Sequence, residues 1–525
     1  MQRKVPLYLA IPACGTALIV AVPLIYIFIR SAEPGWETYL SRVLAQSTIE
    51  LLVNTLALVA GAIICTLSIA LPMAWLVTRT DLPGRRIWAV LGALPLVLPS
   101  YVAAFTLVAL LRPTGYLQSW LSPLGIERLP DIAYGYSGAL MALTVFSYPY
   151  TYLLLIAALR NLDPALEESS RALGASRLRT FVSAVIPQLL PSMLSGSLLV
   201  SLYVLSDFGA VSITRYNTFT YSIYFAFQGR IDRSYAASLA TVLVAVTLLF
   251  LLVDALLSSR FRPAPSRPRR PPAPIPLGRW KWPSIFGLCT VLTFALFTPI
   301  GVIIYWAVRA LWVGNDIGSV GTEIFSSLLV SILAGLVAAL LAIPIIAWAE
   351  RFRSPFARLV ERGASAGFAL PGLVIALSLV FFVSQYLRPI YQTLAVLVAA
   401  YVIRFLPEAL AAERSALLGI STSYEEAGRS LGHSPLNVLR TLTLPLMKPG
   451  IAAAFGLVFL TSMKELPATL ILRPIGFETL ATRIWSGASE AIYSQAAIPS
   501  LCLVGASILP VYLLIIRPTL SEERK

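Results

Sequence analysis

Asp207 and Glu465 are the residues whose type and placement most plainly invite chemistry. Each closes a long apolar run, and the two align when the chain is shifted by 258 positions. Paired carboxylates with phenols nearby (Tyr101, Tyr203) offer hard oxygen ligands suited to a small, highly charged cation. Ionisable groups at membrane depth are costly enough to be functional candidates by default. Lys464 adjoins Glu465 and is a rival partner for it, and contact with a soluble protein from an outer loop is the competing role for both acids. Other chemistries are poorly supplied. The chain has 1 histidine, His433, and 4 cysteines (Cys14, Cys65, Cys289, Cys502) that all fall in apolar runs without CxxC spacing, so no firm metal site, catalytic triad or other catalytic constellation is expected. No G-x4-GK[ST] phosphate loop occurs, so the chain is not expected to be an ATPase or any other enzyme.

A second group of residues stands out because it occurs twice. Residues 425–449 read EEAGRSLGHSPLNVLRTLTLPLMKP, and 167–191 read EESSRALGASRLRTFVSAVIPQLLP, in gapless register at the same shift of 258. Glu167 pairs with Glu425, Glu168 with Glu426, Gly174 with Gly432, Pro187 with Pro445 and Pro191 with Pro449. Both copies keep the spacing E-x5-G-x11-[IL]-P. The glycine is expected to end a short helix, and the proline to open the next long one. That leaves a short helix at the membrane surface with its acidic end exposed. One such copy reads as an ordinary amphipathic loop; two copies at one spacing and on one side of a membrane argue for a shared role.

The elements that must position these residues are membrane helices. The chain of 525 residues is 58% hydrophobic and 12% charged, against about 25% charged in soluble domains. Apolar runs near 7–29, 51–78, 88–111, 136–159, 186–206 and 236–258 are followed by a second set near 284–308, 326–349, 365–387, 391–409, 446–463 and 494–516. About 20 apolar residues span a bilayer, and only a helix satisfies its own backbone there. The first run exceeds the apolar core of a cleaved signal peptide. The expected fold is therefore all-α, with about 12 transmembrane helices in two parallel six-helix repeats. The first half is 1–258 with its repeated loop in 160–187; the second is 283–525 with its loop in 410–446. A proline- and arginine-rich linker, 259–282, joins them.

Placing both termini in the cytoplasm puts 27 of the 40 Lys and Arg on the inner side, which the positive-inside rule favours and which explains the net charge of +15 without nucleic acid. Further matches extend the repeat. LLVNTL at 51–56 resembles LLVSIL at 328–333, and Pro99 corresponds to Pro371 at a shift of 272. Arg215 corresponds to Arg473, Phe219 to Phe477 and Tyr235 to Tyr493 at 258, so 14 residues are lost, in the loop 112–134. Pro99 and Pro371 are expected mid-helix, either kinking gating helices or simply tolerated. Arg215, Arg230, Arg233, Arg473 and Arg483 are either a docking surface for an acidic rim or solvated loop charges. Parallel repeats about an axis along the membrane normal are a transporter plan, with the path along that axis.

The repeated segment resembles the cytoplasmic coupling loop of ABC-importer permeases, written EAA-x3-G-x9-I-x-L-P. The second copy keeps Glu426, Ala427, Gly432, Leu444 and Pro445; the first has Ser169 and Ser170 for the alanines, and Ala184 and Ile186 in the I-x-L part. The resemblance implies a type I importer permease fold and two docking sites (Glu167, Glu168, Gly174, Pro187 and Glu425, Glu426, Ala427, Gly432, Pro445) for two copies of a separate ATPase subunit that carries ATP and Mg. It also implies a periplasmic substrate-binding protein and residence in a bacterial inner membrane, with no cofactor on this chain. The fused layout, with LPSYVAAF at 98–105, SDFGAVSITRYNTFTYSIYFAF at 206–227 and KELPATLILRP at 464–474, is similar to the ferric-iron importer permeases. A permease for thiamine, an aminoalkylphosphonate or a polyamine, or an ATP-independent secondary transporter or channel, remain the alternatives.

Overall fold

The computed structural model describes residues 6–113, 115–125, 130–162, 164–229, 233–260, 274–313, 320–352 and 354–512. The bulk of the linker, both extreme termini and Arg230 lie outside the described residues. Within them the architecture is helical throughout, apart from a single β-bridge between Thr80 and Ile275. Nine described helices are long and apolar enough to cross a bilayer: Leu7–Ala32, Gln46–Arg79, Gly135–Arg160, Arg177–Ser206 and Ser234–Leu257, then Gly278–Val313, Gly321–Phe352, Leu394–Leu418 and Pro435–Met463. The third position of the first half is a broken pair, Arg85–Val97 and Ser100–Ser119, bent by 95°. Shorter apolar helices, Gly372–Tyr386 and Tyr493–Ile508, fill the ninth and twelfth positions.

The prolines do something other than the sequence suggested. Pro99 and Pro371 do not kink continuous helices. Each is the residue before a new helix, with extended ψ of 156° and 138°, at the start of Ser100–Leu111 and Gly372–Tyr386. A proline lacks the N–H that a helix interior needs, so the chain breaks there and the new helix starts from the fixed φ. Pro187 and Pro445 were expected to open the fifth and eleventh spans, yet those spans begin at Arg177 and Pro435. The two prolines lie about ten residues inside. In each case a π-turn precedes them, Phe181–Val185 and Leu439–Thr443, in which Ile186 N–H reaches Phe181 O and Leu444 N–H reaches Leu439 O. The same device, Thr293–Phe297, precedes Pro299. Widening the helix by one residue gives the proline ring room beside the preceding carbonyls, avoiding a clash worth about 3 kcal/mol in a regular helix.

The two halves are interlocked by their first helices. Leu7–Ala32 packs on Gly321–Phe352, Pro355–Ser365 and Gly372–Tyr386 of the second half, while Thr298–Val313 packs on Ser100–Leu111 of the first. Ser378 Oγ donates to Pro23 O at 2.5 Å, and Tyr26 meets Phe382 and Tyr386 edge-on at 5.5 and 5.8 Å. On the other side Tyr116 meets Tyr305 and Trp306 at 5.0 and 6.0 Å. The exchanged helices make each half incomplete without its partner.

Close packing elsewhere rests on small residues. A Cβ at Gly335 would lie 2.9 Å from the Phe455 ring, where the eighth and eleventh spans cross, whereas nothing lies within 4 Å of one at Gly15. Gly335→Leu is expected to cost roughly 1–3 kcal/mol through overpacking, read as a lower melting temperature in detergent; Gly15→Leu should leave the melting temperature unchanged.

Candidate functional site

Each repeated segment folds as a short helix stopped by its glycine. Thr422–Ser430 is capped at its start by Ser421, and Pro164–Ala172 is its counterpart. Gly174 and Gly432 have φ of +82° and +87°, the left-handed conformation that a Cβ disfavours. Around them Gly174 N–H bonds Arg171 O and Ala175 N–H bonds Ser170 O; Gly432 N–H bonds Arg429 O and His433 N–H bonds Gly428 O. This is the paired C-terminal closure in which the glycine is the residue beyond the helix. Ser176 and Ser434 then cap the next helix, each accepting from a backbone N–H at 3.3 Å (Arg179 and Asn437).

The acidic ends differ from the expectation. Glu168 and Glu426 are exposed, but Glu167 and Glu425 are buried. Glu167 Oε1 takes the guanidinium of Arg79, the last residue of the second span, and Arg171 Nη2 stands 3.9 Å from Oε2. Glu425 Oε1 takes Arg351 Nε at 2.8 Å, near the end of the eighth span, with Arg429 Nη2 at 3.5 Å from Oε2. Arg351 also donates to Leu417 O and Ile420 O, and Thr443 Oγ1 donates to Glu425 Oε1. A carboxylate removed from water requires such a partner. Arg79 and Arg351 were missed in the sequence, though they stand at the same shift of 272 as Pro99 and Pro371.

Above this buried pair each segment presents leucines at matched positions. Leu173 and Leu431 are 89% and 79% exposed, Leu178 and Leu436 74% and 39%, and Leu166 matches Tyr424 at 51% and 61%. Ala427 is exposed among them. A cleft of about 320 Å³ lies beside the second copy, lined by Glu350, Arg351, Leu418, Thr422, Glu425, Glu426 and Arg429. Contiguous exposed apolar side chains rimmed by charge mark a surface made for another protein.

The second cluster lies deep between the halves. Asp207 is a helix cap: Ala210 N–H donates to Oδ1 at 2.8 Å and Ser100 O–H to Oδ2. Glu465 does the same for Pro467–Leu472, accepting from Ala468 N–H at 3.1 Å, and its other partner is Arg404 Nη1 at 2.9 Å. Lys464, the rival neutraliser, instead donates to Leu96 O of the first half at 2.7 Å. Both carboxylates are already engaged as hydrogen-bond acceptors, and among the described residues no group of three or more His, Cys, Asp or Glu is placed to hold a metal ion. Tyr101 O–H is buried with no hydrogen-bond partner among the described residues, while Tyr203 packs on Tyr150 at 5.7 Å and the latter two remain partly exposed. Glu408, also partly exposed, accepts from Thr461 at 3.1 Å. Arg404 and Glu408 were overlooked although they are charged residues inside the run 391–409, which is a sufficient signal on its own.

The halves diverge at this cluster. Ser100, which caps Asp207, corresponds to Gly372 at the shift of 272. A Cβ on Gly372 would lie 1.6 Å from Arg404 Nη1, so glycine is what lets the guanidinium reach Glu465. At the end of the molecule far from the repeated segments, Arg215 is exposed and stacks on Tyr134 at 5.3 Å. Arg473 is paired with Glu478 at 3.1 Å. Arg233 lies over Phe227 and Arg483 stands 3.9 Å from Glu478.

Known proteins can be set beside this geometry. The family described as binding-protein-dependent transport system inner membrane component matches the chain twice, over residues 67–263 and 331–518. The Fe(3+)-transport system permease protein FbpB 2 of Haemophilus influenzae is 34% identical over 98% of this chain and 99% of its own length. The ferric transport system permease protein FbpB of Actinobacillus pleuropneumoniae is 25% identical over 86% of this chain and 69% of its own. The sulfate transport system permease protein CysT of Escherichia coli is 30% identical over 46% of this chain and 88% of its own.

Breaking a buried pair by removing one partner costs about 3–5 kcal/mol. Arg79→Ala is therefore expected to speed amide hydrogen exchange across Pro164–Ala172 at least tenfold, with exchange across Thr422–Ser430 unchanged. Equal protection of Pro164–Ala172 in the variant and the parent would show that Arg79 does not hold that segment.

Proposed function

The chain belongs to the family of binding-protein-dependent transport system inner membrane components, and on that premise we propose that it is the permease of an ABC importer for ferric iron. The observation that carries the reading is the matched pair of surface helices, each with exposed apolar side chains and a buried glutamate paired to an arginine at the end of a long helix. Two such sites call for two copies of one partner, an ATPase subunit that holds ATP and Mg and hydrolyses the nucleotide that this chain has no loop to bind. The repeated segments then face the cytoplasm, as do both termini, and the opposite end receives a periplasmic binding protein. The H. influenzae relative, alike along its full length, is the basis for ferric iron as the substrate. The E. coli sulfate relative matches only half the chain and carries less weight.

The path runs between the halves past Tyr203, Glu408 and Lys464. Asp207 and Glu465 act as caps of the short helices Gly209–Ile213 and Pro467–Leu472 that wall it, and Pro99, Tyr101 and Pro371 lie at the breaks that open Ser100–Leu111 and Gly372–Tyr386. Lys464, by donating to Leu96 O, ties the halves across the path. Neighbouring charges of both signs let a trivalent cation pass without a deep well, since tight binding at one site would retain it.

Reconstitution with the ATPase and the binding protein tests the reading. Proteoliposomes should accumulate ferric iron with ATP and not without it, and thiamine, phosphonates and polyamines should not be imported. Glu408→Gln is expected to lower iron uptake at least tenfold with the ATPase still bound. The double variant Leu431→Asp, Leu173→Asp should lose the ATPase in a pull-down while remaining folded; an ATPase retained by that variant would contradict the docking assignment.

A further inference from the structure

The end opposite the repeated segments holds a cleft of about 610 Å³ in the second half. It forms where the start of the eighth span meets the loop between Pro467–Leu472 and Leu480–Ser489. The eighth span runs from Gly321 to Phe352, 32 residues, or roughly 48 Å at 1.5 Å per residue. Its other end carries Arg351, so the cleft opens on the face away from the ATPase sites.

Glu323 lines this cleft and is 8% exposed, and its Oε2 is sealed from solvent with no hydrogen-bond partner among the described residues. The other charges there are already engaged. Arg473 is paired with Glu478 at 3.1 Å, and Arg483 stands 3.9 Å from the same carboxylate. Both cations lean on Glu478, and among the described residues no ion pair reaches Glu323. The walls between the charges are apolar: Leu470, Ile471 and Phe477 line the cleft, and Ile475, 90% exposed, stands at its rim. A cleft lined by an acid whose Oε2 has no partner among the described residues, and by apolar side chains, suits one kind of occupant. That is a long aliphatic stem ending in a cation, the shape of a lysine or arginine side chain.

We propose that this cleft receives a basic side chain projecting from the soluble substrate-binding protein, with Glu323 as its counter-ion and Ile475 packing on the surrounding surface. The proposal rests on the importer reading above, and it assigns the second half a contact of opposite sign to the arginine contacts expected from the sequence. Leu51 stands at the position matching Glu323 at the shift of 272, so the contact is one-sided. A one-sided charged contact lets a two-lobed binding protein dock in a single orientation on a pseudo-symmetric permease, because the wrong orientation would set its cation over leucine.

The test uses the complete complex with its ATPase in lipid nanodiscs and the iron-loaded binding protein in solution. Glu323→Gln is expected to weaken docking at least tenfold and to flatten the dependence of affinity on salt, with basal ATP hydrolysis unchanged. Affinity equal to that of the parent at all salt concentrations would overturn the proposal. A second measurement needs no variant: carbodiimide–amine labelling of Glu323 in the unmodified complex, read by mass spectrometry, should fall when the binding protein docks. Equal labelling in the presence and absence of bound partner would likewise overturn it. If the parent complex binds no soluble protein at all, the importer reading itself fails, a result distinct from either of these.

Discussion

A carboxylate taken out of water must be accompanied by a cation, and this chain meets that requirement in the same way twice. Glu167 with Arg79 and Glu425 with Arg351 join a surface helix to the end of a long membrane helix. The rest of the mechanics follows from that join. Gln46–Arg79 has 34 residues and Gly321–Phe352 has 32, each rod roughly 50 Å long. Near its far end, Thr55 Oγ1 accepts from Phe219 N–H at 3.3 Å, and Ser327 Oγ accepts from Leu480 N–H at 2.8 Å. Each contact holds the first residue of a short helix at the opposite face. A push on the surface helix therefore reaches the far face through one ion pair, one rod and one hydrogen bond. A packed helical core delivers such a displacement as rigid-body motion, since its interior compresses little.

The pseudo-symmetry is mechanical at the surface and broken at the centre. The glycine closures, the Arg–Glu pairs and the π-turns before Pro187 and Pro445 are near copies. Between the halves the copies part: Ser100 caps Asp207, whereas Gly372 opens a space through which Arg404 reaches Glu465. Lys464 crosses to Leu96 O, and Ser206 stands at its equivalent. A further asymmetry lies at the linker. Ile275 pairs with the backbone of Arg79 and Asp81, and Leu277 N–H donates to Asp81 Oδ1 at 2.8 Å. The first surface helix is thus tied through Arg79 to the chain that joins the halves. Two equal handles acting on an unequal centre suit a transporter whose cargo meets different side chains on its two sides.

Much of the fold was legible because its rules are local. Twelve apolar runs, two glycines six residues past a glutamate, and a shared shift of 258 are properties of sequence alone, and a helix or a broken helix pair lies over each run, though the fifth and eleventh start about ten residues earlier than expected. What escaped depended on partners distant in the chain. Glu167 looked exposed because its segment is polar, and only the approach of Arg79, 88 residues away, buries it. Asp207 and Glu465 looked like free ligands because a helix cap cannot be distinguished from a ligand until the next turn is placed. The prolines misled for a physical reason: a π-turn carries a proline through a helix, and nothing in composition announces it. The pairs of Arg79 with Glu167 and Arg351 with Glu425 also place the second and eighth spans in register at 272, since the glutamates correspond at 258. The likeness of LLVNTL to LLVSIL at a shift of 277 is therefore five residues out of register.

The central claim is that the two Arg–Glu joins convert motion of the surface helices into motion of the membrane core. The most direct measurement is the number of ATP molecules hydrolysed per ferric ion imported by the reconstituted complex, compared between the parent and the double variant Arg79→Ala, Arg351→Ala. The account predicts that the variant continues to bind and hydrolyse ATP while uptake collapses, raising that ratio at least tenfold. A variant with the parent's ratio and the parent's uptake would contradict it.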